Sequence, residues 1–366
     1  MNHTVSTRDR IRGSLIGGGA GDALGYAVEF GDEAGIFQKF GPAGITSYAL
    51  GYNGKALISD DTQMTLFTAN ALIYAHRCER EWGIPASLSH CAVHAYRAWR
   101  RTQFGTYTPE NRIPDDARGE VSDLLRDVPE LYNSRAPGLT CMTAIKKRGF
   151  QLEDGIRIIS FMQNKINDSK GCGGVMRVAP LGLAVQHWNR ERLAVEGAEL
   201  AAITHSHPLG YIPAACLTLI LNGIVYPEKE QTLQQIIEDA RDATAELFRD
   251  EPHIQYHSEL ITRAIELSKN SDSDLDNIHK LGKGWVAEET LAISIYCSLK
   301  HQHDFSAAII AAVNHKGDSD STGAVTGNIL GAWLGYEAIE PKWKTDLELR
   351  DLILQVADRL YDDFHA

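Results

Sequence analysis

The sequence predicts an all-α chain folded as a single domain over residues 1–366. Three observations lead there. Apolar residues recur with a period near 3.6 in almost every long segment. Alternating strand patterns are scarce, and ITSYAL (residues 45–50) is only a weak candidate. No repeat, low-complexity tract or linker divides the chain.

Composition narrows the partners. Hydrophobic residues make up 43 %, enough for a sizeable core, and the net charge is −12. That balance argues against a nucleic-acid or anionic-membrane partner, either of which calls for a basic patch. The polar start MNHTVSTRDR has no apolar run behind it, and no uncharged apolar run is expected to span a membrane. Six scattered cysteines without a CxxC pair point to reduced thiols and a cytoplasmic setting.

The first element, GSLIGGGAGDALGYAVEF, carries Gly13, Gly17, Gly21 and Gly25 at four-residue steps. Residues at i and i+4 share one helix face. Each helical glycine costs up to ~1 kcal/mol relative to alanine, so a stripe of them implies that another backbone approaches closely. Glu29 continues the stripe by one step, and Asp22 lies on nearly the same face. Next comes Ser59-Asp60-Asp61-Thr62, just before the helical run from Gln63, which includes LFTANALIYAH. Residues 107–137 are the loosest part, so a loop-rich segment is expected at about 104–140. The glycine-rich stretch NDSKGCGGVMRVAPLG (167–182) could present backbone N–H groups to an anion. LAVEGAELAAITH, LGYIPAACLTLILNGIVY, LQQIIEDARDATAELF and DLILQVADRLYDDF all read as helices. In His205-Ser206-His207 a buried or supporting histidine is a better reading than a metal dyad. Near the end, Asp318-Ser319-Asp320-Ser321-Thr322 precedes a second stripe, Gly323, Gly327, Gly331 and Gly335.

Helix capping would explain either acidic segment alone. Two of them, each with paired acids and flanked by glycine-striped helices, favour metal binding. Carboxylate and hydroxyl oxygens suit Mg²⁺, Mn²⁺ or Ca²⁺ and not Zn²⁺. Two divalent ions would balance the four aspartates, and without them the like charges repel. An EF-hand is excluded because Ile329 stands where that loop needs glutamate. No Walker A sequence or strand-linked Rossmann glycines are present.

Taken in order, GSLIGGGAGDALGYAVE, SDDTQM, RAPGLT, SKGCGGVMRVAPLG, ITHSHPLGY, GWVAEETLAISIY and HKGDSDSTGAVTGNILGA resemble the ADP-ribosylglycohydrolase family over nearly the whole chain. The resemblance implies an all-α orthogonal bundle with a binuclear Mg²⁺ or Mn²⁺ centre that releases ADP-ribose from modified protein side chains. By position it assigns Ser59, Asp60, Asp61, Asp318, Asp320 and Ser321 as metal ligands, with Ser321 where the family usually has threonine. Thr62 and Thr322 would cap or support, and Asp22 would be a structural acid. Glu29, with Asp61, would be catalytic. Ser169, Gly171, Cys172, Gly173, Gly174, His205 and Trp285 would bind substrate, although Cys172 replaces a commonly polar residue. An arginine-linked acceptor is expected, met by Tyr107, Glu110, Asp115 and Asp116. Two other classes fit the residues: a two-metal hydrolase of nucleotides or phosphate esters, and a protein that neutralises an ADP-ribosylating toxin through residues 76–140.

Overall fold

A computed structural model of the chain describes residues 5–51, 53–108, 110, 112–113 and 123–365. Among the described residues there are sixteen α-helices and no strand. ITSYAL has no regular structure. Its Ile45 is buried, and that backbone is held by Asn314, which accepts from Ile45 N (2.7 Å) and donates to Ile45 O (3.0 Å). Side-chain caps start several helices. Ser6 accepts from Asp9 N, Asn189 from Arg192 N and Asp304 from Ala307 N. Thr232 and Gln235 form a reciprocal capping box.

The two glycine stripes meet, as expected from the sequence. The first helix, Thr7–Tyr26, runs antiparallel to the helix Ser319–Leu334. A Cβ built on Gly13, Gly17, Gly21 or Gly25 would lie within 2.3 Å of the carbonyl oxygen of Gly331, Gly327, Gly323 or Ser319 respectively. Only glycine permits that approach. The seam is clasped at Ser14 and Asn328, each of which donates from its side chain to the other's carbonyl (3.0 and 2.9 Å). Helix Arg350–His365 covers the outside of the first helix, with Asp358 accepting both arms of Arg12 (2.7 and 2.8 Å).

One expectation needs correction. The helix Pro208–Val225 is long and apolar enough to cross a membrane by length and composition. Here it is 89 % buried, enclosed by other helices. An all-round apolar sequence is what a central helix requires, since it has no solvent face.

The segment 104–140 is loop-rich where it is described. It holds the short helix Asp123–Arg126 and a 3₁₀ turn at Pro129–Leu131. Buried Tyr132 organises it, accepting from Ile113 N (2.9 Å) and donating to Arg126 O (2.8 Å). Tyr107 packs edge-on against Tyr132, with ring centroids 5.1 Å apart, and donates to Asp127. Glu110 is exposed. Asp115 and Asp116 lie outside the described residues.

Candidate metal centre

The seam of glycines ends at a cluster of acids. The first helix stops at Tyr26, so Glu29 sits in the turn just beyond it and not on the helix itself. It still reaches the partner helix. One carboxylate oxygen each from Glu29, Asp318 and Asp320 lie within 4.8 Å of one another. All three residues are buried, and Glu29 Oε2 has no hydrogen-bond partner.

The second acidic segment arrives through Asp22. Its carboxylate accepts from Ser59 N (2.9 Å), Thr62 N (3.0 Å) and the Thr62 hydroxyl. Asp22 therefore fixes the start of helix Asp60–Trp82 against the first helix, and Thr62 supports as expected. Ser59 is the N-cap, accepting from Asp61 N (3.1 Å). Ser321 joins the two segments, its hydroxyl donating to Asp61 Oδ2 (2.8 Å). Asp318 caps its own helix, accepting from Ser321 N (3.3 Å). Thr322 is turned inward, toward Ala312 O (2.7 Å) and His315 Nε2 (3.0 Å).

Electrostatics follow from this crowding. Burial raises the Asp60, Asp61 and Asp318 carboxyls well above their usual range, and the charge of Asp320 adds to it. The same causes push Asp22 up to about 7 and Glu29 up to about 10. Two cations that flank these segments pair elsewhere: Arg135 with Glu348 (2.6 Å) and Lys170 with Glu288 (2.5 Å). A cluster of buried acids facing one another, with an orphaned Glu29 oxygen and an all-oxygen donor set, fits hard divalent cations.

The glycine loop borders this cluster. Cys172 Sγ donates to Asp318 Oδ2 (2.8 Å), so the thiol faces the acids. The loop is tied to the segment before helix Ala287–Lys300 by Cys172 N donating to Trp285 O (3.3 Å). The Trp285 side chain is 44 % exposed. Ser169 Oγ accepts from Gly171 N (3.3 Å). His205 is buried beneath the loop, where a Cβ on Gly171 would lie 3.2 Å from its Nε2. His207 instead caps the next helix at Leu209 N (3.0 Å). A cavity of about 230 Å³ lined by Leu139, Thr143, Lys147, Asn167 and Ser169 opens beside the loop. A larger one of about 540 Å³, around Arg190, Glu246 and Asp250, contains none of these groups.

Four supporting residues escaped the sequence reading. Arg135 and Gly138 hold Asp60, whose N–H donates to Arg135 O (3.0 Å) and whose carboxylate accepts from Gly138 N (3.4 Å). Lys283 O accepts from Asp318 N (2.8 Å). Arg177 lies fully buried behind the glycine loop. RAPG, GKG and VMRV carry no intrinsic signal for these contacts. A buried arginine in an apolar run was the one available hint.

A model of the ADP-ribosylglycohydrolase family matches residues 3–366. The ADP-ribosyl-[dinitrogen reductase] glycohydrolase of Rhodospirillum rubrum is 24 % identical, over 94 % of this chain and 92 % of its own length. An uncharacterized protein of Archaeoglobus fulgidus and the ADP-ribosylhydrolase ARH3 of Gallus gallus are each 29 % identical over 53 % of this chain. The match spans 59 % and 58 % of those two relatives, little more than half their length. A solved chain of an ADP-ribosylglycohydrolase-related protein complex superposes with a TM-score of 0.64 at 21 % identity, covering 98 % of both chains. That likeness concerns the fold.

Proposed function

Since this chain belongs to the ADP-ribosylglycohydrolase family, we propose that it is a metal-dependent hydrolase that removes ADP-ribose from modified protein side chains, with residues 1–366 acting as one domain. The observation that carries the reading is the convergence of Glu29, Asp318 and Asp320 oxygens within 4.8 Å, beside a glycine loop.

Asp60, Asp61, Asp318 and Asp320 would hold two Mg²⁺ or Mn²⁺ ions, with the hydroxyls of Ser59 and Ser321 completing the set. The ions, when bound, supply charge neutralisation and a grip on the ribose hydroxyls. The chain does the rest. Glu29 takes the proton of the attacking water; its carboxyl is pushed up to about 10, and bound cations would bring it down to the ionised form that a base needs. The acids as a group stabilise the positive charge that grows on the ribose as the glycosidic bond breaks. Asp61, held by Ser321, keeps one of these charges fixed. Ser169, the glycines 171, 173 and 174, and His205 receive the diphosphate, and exposed Trp285 offers a face for stacking. Cys172 is committed to Asp318 and contributes its backbone to the loop.

For the acceptor we propose arginine, a planar cation that carboxylates and aromatic faces recognise. Tyr107, packed edge-on against Tyr132, would carry that preference together with Glu110, Asp115 and Asp116. Six free thiols support a reducing compartment, the cytoplasm.

The test is incubation with arginine-linked and serine-linked ADP-ribosylated protein, with Mg²⁺, Mn²⁺ or EDTA. Released ADP-ribose in metal, and none in EDTA, is the expected result. Release of phosphate alone would assign a phosphate-ester hydrolase. Binding of an ADP-ribosylating toxin without turnover would assign a neutralising partner. Faster serine-linked turnover would overturn only the acceptor.

A further inference from the structure

Among the described residues, Arg177 is a guanidinium with no acid to balance it. It is fully buried. Its Nη1 donates to Gly173 O (2.7 Å) in the glycine loop. Its Nη2 donates to Leu200 O (3.0 Å) and to the hydroxyl of Thr204 (2.7 Å). The plane lies over the Tyr96 ring, 4.5 Å from the centroid. A buried cation is costly unless something uses its charge.

The Thr204 hydroxyl continues the contact, lying 2.8 Å from His205 Nδ1. It has one proton to give, and it already accepts from Arg177. Its other oxygen acceptor is Ala201 O at 3.5 Å, beyond good hydroxyl geometry. Cys141 Sγ also lies in this group, 3.6 Å from Arg177 Nη1, and a thiol sulfur is a weaker acceptor than an imidazole nitrogen. The favourable arrangement sends the threonine proton to Nδ1. The imidazole proton then sits on Nε2, the nitrogen for which the described residues provide no partner. Both Gly171 and Gly173 leave that edge of the ring open: Cβ atoms there would lie 3.2 Å from Nε2 and 2.9 Å from Cε1.

We infer that Arg177 and Thr204 are positioning residues that lock His205 in its Nε2–H tautomer and aim that N–H through the glycine gap at an anionic oxygen of the ligand. Burial and the Arg177 charge, which push the His205 pKa down to about 3, keep the ring neutral. One neutral donor backed by a fixed cation suits a phosphate oxygen better than a titrating imidazolium, because its strength does not vary near neutral pH. Naming that oxygen as part of the ADP-ribose diphosphate rests on the proposed function. The tautomer does not.

Two measurements separate them. Nitrogen NMR of ¹⁵N-histidine-labelled protein, with His205→Asn to assign the signal, reads the ring directly. A protonated Nε2 and bare Nδ1 are expected in the ligand-free protein, and the reverse overturns the inference whatever the enzyme acts on. Thr204→Val, which keeps shape and removes the hydroxyl, should mix the tautomers and weaken ADP-ribose binding by calorimetry about tenfold, the scale of one hydrogen bond to a charged group. Metal content should stay unchanged, and Thr204→Ser should restore both readouts. Pure Nε2–H signals in Thr204→Val, or undiminished ADP-ribose affinity beside a mixed ring, would remove Thr204 from the role. If ADP-ribose does not bind wild-type protein while the Nε2–H tautomer is seen, the functional reading fails and the tautomer lock stands.

Discussion

A Cβ on Gly327 would lie 1.9 Å from the carbonyl oxygen of Gly17, and a Cβ on Gly17 would lie 2.3 Å from the carbonyl oxygen of Gly327. Both obstacles are backbone, so neither can rotate away. Gly327→Leu should therefore push the first helix from the Ser319–Leu334 helix. Overpacking costs ~1–3 kcal/mol and occasionally more, and contact with backbone favours the upper end. The same shift separates Glu29 from Asp320, so metal affinity should fall with stability. Urea unfolding and metal titration check both. Retention of both would mean the seam does not set the site.

This seam was legible in the sequence because glycines at a helical period are costly in any helix that no second backbone approaches; Gly335 is the exception, since the helix ends at Leu334 and Gly335 caps it at φ 87°. The two acidic segments were legible because oxygen-rich helix starts occur twice. What stayed hidden was how each is held. Asp22 reads as one more acid on a stripe, and only the fold shows it accepting from both Ser59 and Thr62. The stripe points Glu29 at the partner helix, which its carboxylate does approach, yet the helix ends at Tyr26 and a turn delivers it. Cys172 looked like a ligand contact, and its thiol turns to Asp318. Such facts depend on residues far apart in the chain, which local periodicity cannot encode.

Asp318→Ala removes a cap, an oxygen of the Glu29 cluster and the acceptor of Cys172. At least one divalent ion should be lost, measured by elemental analysis after desalting, and turnover should fall with it. Wild-type protein should lose activity in EDTA and regain it on adding Mg²⁺ or Mn²⁺. Full activity in the chelator would dispose of the metal reading.

Glu29→Gln keeps the size and hydrogen-bonding reach of the side chain and removes its charge. Turnover should drop by roughly 10²–10⁴, the range for a positioned acid–base group. The metal-free variant should be no less stable than wild type near pH 8, because Glu29 Oε2 has no partner to lose and its neighbours are acids. A near wild-type rate would take the base role away from Glu29.

The acids also predict how metal binding depends on pH. Asp22 at about 7 and Glu29 at about 10, with Asp60, Asp61 and Asp318 also raised, lie above their unfolded values of 3.8 to 4.5. In metal-free protein their contribution to stability is present below about pH 4. It is lost as pH rises through the folded values, when the cluster charges and repels itself. Bound cations reverse the balance by favouring the ionised acids, so binding must release protons. Metal affinity should then rise with pH, by about tenfold per pH unit for each proton displaced. The buried histidines run the other way: His257 and His315 are pushed down to about 4, so protonating them destabilises the fold at low pH. Both are present with or without metal, so they largely cancel in a difference. The measurement is the increase in Tm on adding saturating Mg²⁺, from pH 5.5 to pH 8. That increase should grow across the range, and Glu29→Gln should reduce its growth. An increase that is flat with pH would mean that the ions displace no protons, and that the raised carboxyls are not the ligands.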